Sequence, residues 1–146
     1  MRAQHDRPRI YTVGPFSATT ELERRRNIAR AEEAALELAR HGAYYRCPHL
    51  HSAHFDGQIG DGYWLELGLD LLSECDAAYL VADAPAAPPC TDAGPQRAYL
   101  RPEWPLWLSY GSVAEVAWCE AHNVPMLTRL AEAVAFIRRW RPGSRP

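Results

Sequence analysis

Four short runs of β-branched and aromatic residues recur along the chain, each followed by a stretch with helical periodicity. The first, "RIYTVGPF" at 9–16, ends at Gly14-Pro15, a pair that stops a buried strand. In "ELERRRNIARAEEAALELARHG", Ile28, Ala31, Ala35 and Leu38 share one helical face, and Gly42 supplies the stop. "AYYRCP" at 43–48 reads as a second strand, followed by a polar loop. "YWLELGLDLLSEC" at 63–75 reads as a helix with Trp64, Leu67 and Leu71 spaced for burial. "DAAYLVAD" at 76–83 is the clearest third strand, "SVAEVAWCEAHN" a helix, "VPMLT" a fourth strand and "LAEAVAFIRRW" the last helix.

Such alternation demands a parallel sheet with helices on both faces, and right-handed crossovers leave few topologies. The expected fold is a three-layer, Rossmann-like or flavodoxin-like α/β domain. Its sheet has four to five parallel strands in the order 2-1-3-4(-5). The 146 residues suffice for one domain with one sizeable core. Residues 1–8 and 141–146 read as loose tails, and 84–105 as a loop insertion whose six prolines exclude regular structure.

The formal charge of −2 argues against a coat for polymeric nucleic acid, though not against a small anionic ligand held by backbone amides. No apolar run reaches the length of a membrane span, and no secretory leader opens the chain. Cys47, Cys75, Cys90 and Cys119 are scattered with no CxxC pair, as expected of reduced, mostly buried thiols in a cytoplasmic protein.

In open parallel sheets, ligands gather beyond the carboxyl ends of the strands where the strand order reverses. Three segments should meet there: "GPFSATT" with Gly14, Phe16 and Ser17, the loop after the third strand, and "SYGS" with Ser109, Gly111 and Ser112. Ser112 and Glu115 have the spacing of a capping box, in which Ser112 caps the helix and Glu115 reciprocates. Alternatively, the free amides of the helix start hold an anion, and Glu115, in the first turn, is kept ionised by the helix dipole.

The blocks "IYTVGPFSA", "YWLELGLDLLSECDAAYLV" and "WLSYGSVAEVAW", the last with an S-x-G-x-x-x-E pattern, resemble the nucleoside 2-deoxyribosyltransferase superfamily, including deoxynucleoside 5′-monophosphate N-glycosidases. The resemblance runs from about residue 9 to residue 128. It implies that Glu115 attacks the anomeric carbon of a deoxyribose and that Tyr11 orients it. It implies too that Ser109, six residues before the glutamate, helps hold a 5′-phosphate, with Ser17 as a second contact. Hydrolysis of a 2′-deoxynucleoside 5′-monophosphate is the activity expected, without cofactor or metal, in a homo-oligomer. The alternatives are a non-catalytic nucleotide-binding module and base exchange between nucleosides. The resemblance departs at one place. Where the family carries an acid that assists the leaving base, eight residues before Asp76, this chain has Gly68, flanked by Glu66 and Asp70. Asp70, or else Glu66, is the candidate substitute in a shifted helix; otherwise the base departs without this acid or hydrolysis is lost. Asp76 either lines the pocket or caps a turn.

Among weaker features, Cys47, His49, His51 and His54 lack a recognised ligand spacing and read as a loop over the base rather than a metal site. Arg24, Arg25 and Arg26 read as a solvated helix face. Trp104 and Trp107 are suited either to stacking on a base or to packing.

Overall fold

A computed structural model describes residues 5–14, 20–52, 61–81 and 110–143. The described chain runs β1 (Arg9–Val13), α1 (Glu21–Arg40), β2 (Tyr44–Arg46), α2 (Pro48–Ser52), α3 (Asp61–Ser73), β3 (Ala77–Leu80), α4 (Tyr110–Ala121), β4 (Met126–Leu127) and α5 (Leu130–Arg139). The four strands form one sheet in the order β2-β1-β3-β4, every pair parallel. This is the Rossmann-like arrangement that the alternation of strands and helices demands. The 84–105 insertion lies outside the described residues.

Side-chain alternation along the strands sorts the core into two layers. Tyr11 and Val13 of β1 register with Ala78 and Leu80 of β3. These four pack with Leu72 and Cys75 from the end of α3 and with Val116 and Cys119 of α4. The intervening positions, Ile10 and Ala77, face the other way and pack with Leu38 of α1 and Ala133 of α5. Two helices on each face follow from which positions are apolar.

Local signals set the ends of α1. Thr20 has extended backbone angles and its side chain accepts a hydrogen bond from the Glu23 amide, satisfying a donor that the first helical turn leaves open. At the other end Gly42 takes φ +100°, a left-handed conformation that costs glycine little, and the chain turns into β2. Arg24 and Arg25 pair with Glu21 along the helix surface, in keeping with a solvated face.

Three local expectations are corrected. Residues 49–52, read as loop, form the short helix α2 together with Pro48, read as the end of the second strand, which opens the helix with its preset φ. Residues 5–8, read as part of a loose tail, are tied down. His5 Nε2 lies 2.9 Å from Asp76 Oδ2, its ring stacks on Trp140 at 5.4 Å, and Pro8 O accepts from the Tyr44 amide. Helix α4 begins at Tyr110, so Ser112 lies inside its first turn instead of capping it, and Glu115 falls in the second turn. Nothing between Pro105 and Glu115 forbids helical angles, so the capping-box spacing does not set the boundary.

Candidate functional site

The strand order reverses between β1 and β3: from β1 the chain crosses to one side, and from β3 to the other. At the carboxyl ends of these strands the Val81 amide donates to Val13 O at 2.8 Å. Gly14 stands so close to the neighbouring strand end that a β-carbon on it would lie 3.1 Å from Val81 Cβ. It would also lie 3.9 Å from Cε1 of His49, a buried residue of α2. Any larger residue at position 14 would have to push these neighbours aside.

Tyr11 lies in the middle of β1 and is wholly buried, pointing into the layer beneath α3 and α4. Its hydroxyl reaches α3 at Gly68, where a β-carbon would come within 2.8 Å of the oxygen. Gly68 is thus required by Tyr11: the phenol occupies the space a side chain at 68 would need. Residue 68 cannot carry an acid while Tyr11 keeps this position.

Glu115 of α4 meets the same hydroxyl. Burial of its carboxyl raises the pKa from an ordinary 4.5 to about 8, with the Tyr11 hydroxyl pulling partly in the opposite direction. In turn, burial first and the Glu115 charge second drive the Tyr11 phenol far above its usual range. The two groups face each other without an aligned hydrogen bond. Tyr11 Oη and Glu115 Oε2 are both buried, and among the described residues neither makes a hydrogen bond of regular geometry. Glu115 as a whole residue keeps some solvent contact, so the enclosed part is the carboxyl tip.

Two unsatisfied polar atoms in one interior spot are costly, about 1–3 kcal/mol each. Such spots in folded proteins often serve ligands or chemistry. Oε2 of Glu115 makes no hydrogen bond to the main chain among the described residues. The expectation that the helix dipole keeps it ionised fails for two reasons. It stands beyond the first turn, where the dipole's influence fades, and desolvation dominates.

The sequence-derived residues therefore divide. Tyr11 and Glu115 come together, with Gly68 against them. Gly14 stands at the crevice where the strand order reverses. Asp70 and Glu66 are exposed on α3, and neither is brought to Tyr11. Their separation of two residues from the buried Gly68 turns them about 200° around the helix. Asp76 sits at the amino end of β3, away from the crevice, where Oδ2 accepts from the Arg9 amide at 2.7 Å and binds His5. It closes the turn into β3 and does not line the crevice, so the turn-capping alternative describes it. Phe16, Ser17 and Ser109 lie outside the described residues, as do His54, Trp104 and Trp107. Gly111 and Ser112 are placed only as part of the α4 backbone.

Sequence reasoning did not anticipate His49 beside Gly14 or His5 on Asp76. A lone histidine in a polar stretch carries no periodic signal that would place it. Among the described residues, no group of three His, Cys, Asp or Glu side chains is arranged to hold a metal ion. Cys47, Cys75 and Cys119 are buried thiols, in no disulfide. No described helix is long and apolar enough to cross a membrane.

The fold and this site define a Rossmann-like α/β domain with a protected carboxyl–phenol pair between two helices of one layer. The chain matches no family model, and no characterised protein or solved structure is significantly similar to it.

Proposed function

We propose that the protein is an N-glycosidase acting on a 2′-deoxynucleoside 5′-monophosphate, with Glu115 as nucleophile and Tyr11 as the group that orients it. The observation that carries this reading is the enclosed Glu115 carboxyl opposite the Tyr11 hydroxyl, with Oε2 in no regular hydrogen bond among the described residues. Its further support is the sequence resemblance around Ser109, Gly111 and Glu115.

The ionised carboxylate attacks C1′ of the deoxyribose. A glycosyl ester forms as the C1′–N bond breaks and its electron pair goes to the base. The base takes its proton from water, and a second water hydrolyses the ester, freeing Glu115. Tyr11 donates to the carboxylate once the substrate draws the pair into line, since catalytic hydrogen bonds often tighten only on binding. The phosphate is assigned to Ser109, Ser17 and the amides at the start of α4, and the base to the side of His49. The reading carries with it a cytoplasmic homo-oligomer needing no cofactor or metal.

The test is incubation with each of the four deoxynucleoside monophosphates and chromatography of the released base. Release that is lost in Glu115→Ala supports the proposal, and none above that control with all four defeats it. A carboxyl titrating at about 8 is about one-tenth ionised at neutral pH. The rate of base release at low substrate should therefore rise with pH and level off above about 8. Gly68 favours a second reading, a nucleotide-binding module without catalysis. Calorimetry showing a monophosphate bound and recovered intact supports that alternative.

A further inference from the structure

A second concave surface runs along the outer strand at the far side of the sheet. It offers about 430 Å³ and is lined by Arg7, Arg9, Ala39, Ala43, Tyr44, Tyr45 and Arg46. β2 is the edge strand, and its register places Arg9 beside Tyr44 and Tyr11 beside Arg46. By strand alternation, Arg9, Tyr44 and Arg46 therefore project from one face. Arg7 completes the group, its guanidinium 5.7 Å above the Tyr44 ring.

Among the described residues, none of these three arginines makes an ion pair, unlike Arg24, Arg25, Arg40 and Arg129, which lie beside glutamates on their own helices. Two acids stand by the group: Asp6 accepts from the Tyr44 hydroxyl at 3.2 Å, and Asp76, which also binds His5, accepts from the Arg9 amide, so the three guanidiniums outnumber the carboxylates described beside them. A chain with formal charge −2 thus gathers three guanidiniums, with no ion pair among the described residues, in one depression. Concave walls focus such a field, and guanidinium forks match phosphate oxygens. Tyr44 is 45 % exposed, which leaves aromatic surface beside the charge.

We propose that this groove binds a nucleoside diphosphate, separately from the Tyr11–Glu115 site. Arg7, Arg9 and Arg46 hold the diphosphate, and the base stacks on Tyr44. The volume is of the size small-ligand sites have, about 300–1,000 Å³. The assignment does not depend on the proposed hydrolysis, because the groove shares no residue with Tyr11, Gly68 or Glu115.

The experiment is a titration of the isotope-labelled protein with ADP, and separately with inorganic pyrophosphate, followed by backbone amide NMR. ADP should shift the amides of residues 7, 9 and 44–46. An Arg9→Gln/Arg46→Gln double variant should weaken binding by about tenfold or more. Tyr44→Ala should weaken ADP and leave pyrophosphate nearly unchanged. Amide spectra of the variants confirm that each is folded. ADP shifts confined to Gly14 and the start of α4 would place the nucleotide in the crevice and overturn the proposal. So would shifts at the groove that the double variant leaves intact, or pyrophosphate binding as tightly as ADP. Line broadening at Tyr44 that grows with protein concentration before any ligand is added would mark a contact between copies and overturn it as well.

Discussion

Replacing Glu115 with glutamine keeps the shape of the side chain and removes its titration, so it isolates what burying the carboxyl costs. The carboxyl titrates at about 8 in the folded protein and near 4.5 when solvated. With a folded value above the unfolded one, the native state holds a proton that the unfolded chain has released. The contribution to stability is therefore fully present below about pH 4.5 and is lost as pH rises through about 8. Each unit of pKa difference corresponds to about 1.4 kcal/mol. From about pH 6 to about pH 9, wild type should lose about 2–3 kcal/mol that Glu115→Gln does not lose. This is a ceiling, because Glu115 retains some solvent contact that screens the charge. The assay is urea unfolding of both proteins at several pH values, with the difference in unfolding free energy plotted against pH. Glutamine should gain steadily on wild type above pH 6, and the gain should flatten beyond pH 9. A difference that stays level across this range would show that the carboxyl is not desolvated and would remove the main physical support for the site. A difference of the opposite sign would mean that a positive group faces Glu115 when the chain is folded.

Two further substitutions probe the same framework. Gly68→Ala places a β-carbon 2.8 Å from the Tyr11 hydroxyl, so it should destabilise by about 1–3 kcal/mol. Most of that loss should vanish in a Tyr11→Phe background, and a double-mutant cycle with no coupling would contradict the contact. His5→Ala removes both the link to Asp76 and the ring stacked on Trp140, and should cost about 1–2 kcal/mol in denaturant unfolding. An unchanged midpoint would show that the first described residues do not contribute to the fold.

The layering of the molecule was legible because it depends on period. Tyr11 and Val13 against Ile10, and Ala78 and Leu80 against Ala77, alternate as strands buried on both faces must. The helices α1 and α4 announced themselves through small apolar residues at three- and four-residue spacing. The short α2 did not, since five residues hold little more than one turn of periodic signal. At the site, Tyr11 and Glu115 were identifiable as a pair, but the state of the carboxyl was not. A local motif suggested a cap and an ionised side chain, whereas packing against β1 decided both its place in the helix and its proton affinity. Gly68 is the sharpest case. In sequence it was a missing acid; in three dimensions it is the clearance for a hydroxyl 57 positions away along the chain. No window of neighbouring residues contains that information.

The stacking of His5 on Trp140 brings the two extremities of the described chain side by side at the amino edge of the sheet. A short peptide bridge could join them there, making the molecule a candidate for circular permutation. Affinity handles or surface tethers fused near either extremity would sit at the amino edge of the sheet, away from the carboxyl ends of β1 and β3.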